Sequence, residues 1–157
     1  MTDQLPETPT VTVPAASARR RSASRNAPAE PDRARLVAAA RAERPPLEVA
    51  RRIVEAAEDK KASDIVLLEV AALTTIADHF VICSGGSERQ LEAIADGVVE
   101  ALRAEGIRPI GREGEAASHW VLVDFGSVIV HIFTPPERDY YELEKHWAEA
   151  KTILRVQ

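Results

Sequence analysis

Four short apolar runs constrain the fold most: DIVLLEV (64–70), HFVIC (79–83), WVLVDF (120–125) and VIVHIF (128–133). They are rich in Val and Ile and nearly continuous rather than alternating. A strand wetted on one face alternates apolar with polar residues, so these runs predict strands covered on both faces. Between the second and third runs, Leu91, Ile94, Ala95, Val98 and Leu102 recur with helical period. They predict a helix over 88–105, with Gly106 just past its end. PLEVARRIVEAAEDKKA has the same period in Leu47, Ala50, Ile53, Val54 and Ala57. IRPIG (107–111) is a weaker strand, placed at an edge because Pro109 has no N–H to donate. Gly126-Ser127 is short enough to turn a hairpin. TPPERDYYELEKHW predicts a final helix, with Thr134 as N-cap, Pro135 at the first helical position and Glu137 completing a capping box. The element order is α-β-β-α-β-β-β-α, an α/β (α+β) domain with a mixed sheet of about five strands flanked by helices.

The charge is uneven. Residues 1–46 hold eight arginines against five acids, while residues 47–157 carry a net −8 of the chain's −5. Seven of the ten prolines fall in 1–46, and no aromatic residue does. Such a stretch buries too little apolar surface to offset its ordering entropy. Residues 1–46 are therefore expected to be a disordered Pro/Arg-rich arm, with a short helix over 32–43, and residues 47–157 the folded domain. The arginines at 19–21 give at most weak contact with RNA. An acidic domain repels nucleic-acid phosphates and attracts basic proteins, so its expected partner is a protein. No apolar run approaches the roughly 20 residues of a membrane span, and no apolar core follows the arginines as in a signal peptide. One cysteine excludes an internal disulfide and a cysteine zinc knuckle. A cytoplasmic location is expected.

In CSGGSERQ (83–90), Ser87 and Gln90 form an S-x-x-Q capping box and the glycines free the strand-to-helix turn. A phosphate cradle would need G-K-[ST] or G-x-G-x-x-G, and neither is present. GGS opening a helix also resembles the start of nucleotidyltransferase sites. Those need two carboxylates at i and i+2 on one strand to hold metal ions. Asp124 has Leu122 and Gly126 at those positions, so the pair cannot be built. Cys83 and His79 stand about 13 Å apart along an extended strand, beyond hydrogen-bond reach. The histidines at 79, 119, 131 and 146 have no metal-ligand spacing. DFG (124–126) lacks every other kinase feature. No catalytic residue, metal or cofactor is assigned. Trp120, Tyr140 and Tyr141 are candidates for a protein-contact patch, since Trp and Tyr anchor interfaces.

DIVLLEV…TTIADHFVICSGGSERQLEAIADGV, GREGE…HWVLVDFGSVIVHIF and RDYYELEKHWAEA together resemble the Iojap family, the ribosomal silencing factors, over residues 47–150. The resemblance implies a non-enzymatic translational repressor. Its members bind the large ribosomal subunit on the ribosomal protein numbered fourteen and block small-subunit joining when nutrients are scarce. The alternative it implies is a role in large-subunit assembly or maturation. It also implies a nucleotidyltransferase-like architecture without the metal carboxylate pair. The partner-binding residues it implies are Trp120, Asp124, Phe125, Tyr140 and Tyr141. A homodimer of the free protein is left open.

Overall fold

The computed structural model describes residues 44–157, together with residues 32, 34 and 35, which are helical and exposed. Residues 32, 34 and 35 fall within the short helix expected over 32–43, and the rest of what was expected of 1–43 lies outside the described residues; of the expected arm's last residues, Arg44 pairs with Glu105 at 2.9 Å and Pro46 is helical.

Helix α1 (Pro46–Asp59) starts where expected. Pro46 fits the first helical position because that N–H has no intrahelical partner, and Val49, Ala50, Ile53, Val54, Ala56 and Ala57 form its buried stripe. It ends at Lys61, whose φ of 66° takes the left-handed place usually given to glycine. The Ala62 N–H bonds back to the Ala57 carbonyl at 3.0 Å. Strand β1 (Ser63–Glu69) and strand β2 (His79–Ser84) follow, joined by a long loop. Helix α2 (Glu88–Arg103) stops two residues before the expected 105; Gly106, at φ 84°, lets Ile107 N–H reach the Leu102 carbonyl at 2.9 Å.

Strand β3 is Gly111–Glu113 rather than 107–111. Pro109 cannot join a ladder, so pairing begins after it, with Ile110 N–H to the Asp124 carbonyl at 2.7 Å as the lead-in. Strands β4 (Trp120–Asp124) and β5 (Val128–Phe133) form the expected hairpin over Gly126-Ser127. Helix α3 (Pro135–Tyr141) is not the long final helix expected. Glu142 adopts φ 51° and breaks it from a single further turn, helix α4 (Leu143–His146). Thr134 is the N-cap by position only: its side chain makes no capping bond, and its Oγ1 is buried with no hydrogen-bond partner among the described residues. Strand β6 (Lys151–Val156) was not expected at all.

Among the described residues the sheet has six strands in the order β3-β4-β5-β2-β1-β6. The β2–β5 pair is parallel and the other four pairs are antiparallel. Every residue of β2 and β5 is buried, as continuous apolar runs require. Successive side chains point to opposite faces, which splits the core in two. Ile65, Leu67, Val81, Cys83, Val121, Val123, Val130 and Ile132 meet α1 and α2. Val66, Leu68, Phe80, Ile82, Trp120, Ile129 and Phe133 face the other way, where Leu143, Tyr141 and Trp147 cover them. The second face carries the candidate site.

Candidate functional site

The glycine turn is closed on itself. Ser87 caps α2, its Oγ accepting from Gln90 N–H at 3.1 Å. The return bond differs from the expected box: Gln90 Oε1 accepts from Gly86 N–H at 2.8 Å, not from Ser87. Gln90 Nε2 donates to the Lys61 carbonyl at 2.9 Å, tying the start of α2 to the turn that follows α1. Gly85 N–H is taken by the Phe133 carbonyl at 2.9 Å. A Cβ on Gly85 would press on Leu91 and Ile94, at 3.0 and 3.1 Å. That glycine serves helix–strand packing. With these amides engaged, and Glu88 at the helix start held 3.1 Å from His119 Nε2, the turn does not form an anion cradle.

The second sheet face holds a continuous run of rings. Trp120, 2% exposed, stacks on Phe133 at a centroid distance of 4.8 Å and meets Tyr141 at 4.7 Å, the rings tilted by 47°. Tyr140 stands edge-on to Tyr141 at 5.0 Å and is 76% exposed. The rings thus lead from the core at Phe133 to solvent at Tyr140. Trp120 Nε1–H donates to His131 Nδ1 at 3.4 Å, so the ring proton of neutral His131 sits on Nε2. That Nε2 is buried with no partner among the described residues. Burial pushes the His131 pKa down to about 3, and the imidazole is neutral at ordinary pH.

Of the five expected contact residues, three share this run: Trp120, Tyr140 and Tyr141. Asp124 lies on the same face of β4, four residues from Trp120, with half-buried Leu122 between them. Its Oδ1 accepts from Gly126 N–H at 2.8 Å and so shapes the β4–β5 turn. Phe125 is on the other face, 2% exposed among the residues under α1 and α2. Cys83 is wholly buried on that face too, and burial raises its thiol to about 12. No group of three or more His, Cys, Asp or Glu among the described residues is placed to hold a metal ion.

Sequence reasoning missed Arg138. Its guanidinium forks onto Glu144, with Nε to Oε1 at 3.1 Å and Nη2 to Oε2 at 2.8 Å. Nη1 donates to the Asp64 carbonyl at 2.7 Å and to Ser84 Oγ at 2.8 Å. Arg155 Nη1 reaches Asp64 Oδ1 at 2.7 Å. The only sequence signal was an arginine inside an otherwise acidic and aromatic helix. Nothing in periodicity shows that it turns inward.

Residues 43–157 match the family model described as "Ribosomal silencing factor during starvation". The chain is 44% identical over 100 residues to "Ribosomal silencing factor RsfS" of Halalkalibacterium halodurans, covering 64% of this chain and 86% of that protein. It is 43% identical over 95 residues to the protein of the same name from Bacillus subtilis, covering 60% and 80%. The crystal structure of a Chromobacterium violaceum protein superposes with a TM-score of 0.63 at 38% identity, over 65% of this chain and 85% of that one. The family is one of non-catalytic, ribosome-binding regulators of translation. By the match across its described domain, this chain belongs to the ribosomal silencing factor (RsfS/Iojap) family.

Proposed function

We propose that this chain binds the large ribosomal subunit through the ribosomal protein numbered fourteen and sterically blocks joining of the small subunit, mainly under nutrient limitation. The observation that carries the choice of surface is the ring series Phe133–Trp120–Tyr141–Tyr140. An exposed tyrosine backed by packed rings loses little further freedom on binding, which is what a hot spot requires. Tyr140 is the direct anchor, with Tyr141 beside it and Trp120 beneath. Asp124 marks the far end of the same strand face, and Phe125 holds the turn that carries it. The net −8 of residues 47–157 suits a basic ribosomal protein, raising the association rate and fixing orientation.

The arginines at 19–21 enter this proposal as giving at most weak RNA contact. A homodimer of the free protein would use the same aromatic patch. No helix among the described residues is long and apolar enough to cross a membrane, and the proposed place of action is the cytoplasm. The proposed kinship with nucleotidyltransferases is architectural only. Asp124 is flanked at i−2 and i+2 by Leu122 and Gly126, and its carboxylate shapes a turn.

The test is co-sedimentation with separated large subunits, small subunits and intact ribosomes, then addition of small subunits to the large-subunit complex. Binding to large subunits with joining suppressed is the expected result. Binding that leaves joining untouched would replace the proposal with a maturation role, and absence of binding would overturn both.

A further inference from the structure

Among the described residues Arg138 is the one buried charged side chain, and it sits where the chain changes direction. It lies in α3, two residues before Tyr140 and three before Tyr141. The chain then kinks at Glu142, with φ 51°, and Glu144 is the second residue of α4. The fork from Arg138 to Glu144, at 3.1 and 2.8 Å, therefore spans the kink. The same guanidinium ties α3 to the starting end of β1 through the Asp64 carbonyl and to the last residue of β2 through Ser84. Arg155 closes the set from β6, 2.7 Å from Asp64 and 3.7 Å from Glu144. Two cations and two anions leave it neutral, and the guanidinium's donors are already directed at protein acceptors. It has no vacancy for an external anion.

The two helices need such a clamp. Seven and four residues are too few to hold helical form by themselves. A planar, bidentate guanidinium fixes orientation in a way a point-charge ammonium does not. We infer that Arg138 is a positioning residue: through its fork across the Glu142 kink it sets the angle at which Tyr141 is presented on Trp120 and Tyr140 beside it. The inference rests on the proposed ribosome-binding surface for its functional consequence, but not for its geometry.

The experiment uses the full chain and three variants: Arg138→Lys, Arg138→Met and Glu144→Gln. Each is read by urea unfolding, by the NMR shifts of the Tyr141 ring protons, and by affinity for purified large subunits. Tyr141 lies 4.7 Å from the Trp120 ring, so its shifts report the presentation angle directly. Arg138→Lys is expected to stay folded, to move the Tyr141 shifts toward unstructured values, and to weaken binding by about tenfold or more. Adding Tyr140→Ala and Tyr141→Ala to Arg138→Lys should weaken binding little further, because the lysine has already misplaced those rings. Glu144→Gln should move shifts and affinity the same way by less, and it decides the matter if neither Arg138 variant folds. The inference is overturned if stability falls while the Tyr141 shifts and affinity stay as in wild type, or if the losses add. If the wild-type chain itself fails to bind large subunits, the proposed function falls, and the Tyr141 shifts alone confirm or refute the positioning.

Discussion

Replacing Trp120 with alanine tests whether the ring series is as firmly seated as its geometry says. The indole is 2% exposed and meets Phe133 at 4.8 Å and Tyr141 at 4.7 Å. Truncating a buried aromatic to alanine costs about 3–5 kcal/mol, lost transfer energy plus the cavity left behind. Against the roughly 5–15 kcal/mol that holds a typical domain, Trp120→Ala should be folded but severely weakened. With a urea dependence of about 2 kcal/mol per molar, the midpoint of unfolding should fall by roughly 2 M. Trp120→Phe separates the contributions. It keeps a ring in place but takes away the N–H donated to His131 Nδ1, leaving a buried acceptor unpaired at about 1–3 kcal/mol. In large-subunit binding Trp120→Ala should cost on the order of 2 kcal/mol or more. Because the indole is buried, that loss must pass through Tyr141, so combining Trp120→Ala with Tyr141→Ala should be strongly non-additive. A Trp120→Ala variant within about 1 kcal/mol of wild type in urea would refute the packing argument. Additive binding losses would refute the route through Tyr141.

Three further outcomes follow from single groups. His131 is held neutral, its pKa near 3 against an ordinary 6.5; the unfolded chain therefore takes up a proton the native chain refuses. Stability should be complete above about pH 6.5 and fall as pH drops from there toward 3, by up to about 1.4 kcal/mol per unit. His79, lowered by desolvation, acts with the same sign, and urea melts of His131→Leu across this range should show a flatter profile. Cys83, buried with its thiol raised to about 12, should resist iodoacetamide at pH 8 until urea unfolds the chain, as mass spectrometry would record. Gly97→Ala should gain less than the helix-propensity difference of about 1 kcal/mol, since a Cβ there would stand 2.6 Å from Lys60 Cγ and Cε and the Lys60 stem must move. Gly114→Ala should destabilise, since φ is 82° and a Cβ would strike the Trp120 carbonyl; its thermal melt should fall well below that of Gly97→Ala, where a side chain rather than backbone has to give way.

The inner strands were legible because burial on both faces leaves a compositional mark, and the two long helices because their single buried stripes repeat with helical period. β2 and β5 read as unbroken Val and Ile runs, and they are buried at every position. Edges leave a weaker mark. KTILRV (151–156) carries Lys151 and Arg155 and is at most half-buried along its length, so it forms β6 through pairing with β1 rather than through a pattern of its own. The break at Glu142 was hidden for a related reason. TPPERDYYELEKHW has sound local helix signals, including a proline at the start and acids early. The tertiary fork from Arg138 to Glu144 favours a kink that local propensity does not announce. Thr134 shows the same limit from the other side: it has the right residue type at the cap position, yet its hydroxyl makes no cap bond.

The motifs that identify this chain mix two kinds of residue, and only the fold separates them. WVLVDF contains Trp120 and Phe125, both buried, on opposite faces of the sheet, and Asp124, which shapes a turn. RDYYELE contains Arg138, clamped inside, and Tyr140, standing outside at 76% exposure. Read as a string, each motif looks like one binding element. Read in the fold, most of its members support a surface that few of them reach. A protein that recognises another by shape needs this division, because an exposed ring contributes to affinity only as far as its angle is fixed before contact. The variants should divide the same way. Trp120 and Arg138 should lose stability and binding together, whereas Tyr140→Ala, with little packing to lose, should lose binding with unfolding in urea almost unchanged. If Tyr140→Ala destabilised the domain as Trp120→Ala does, this separation of contact from support would fail.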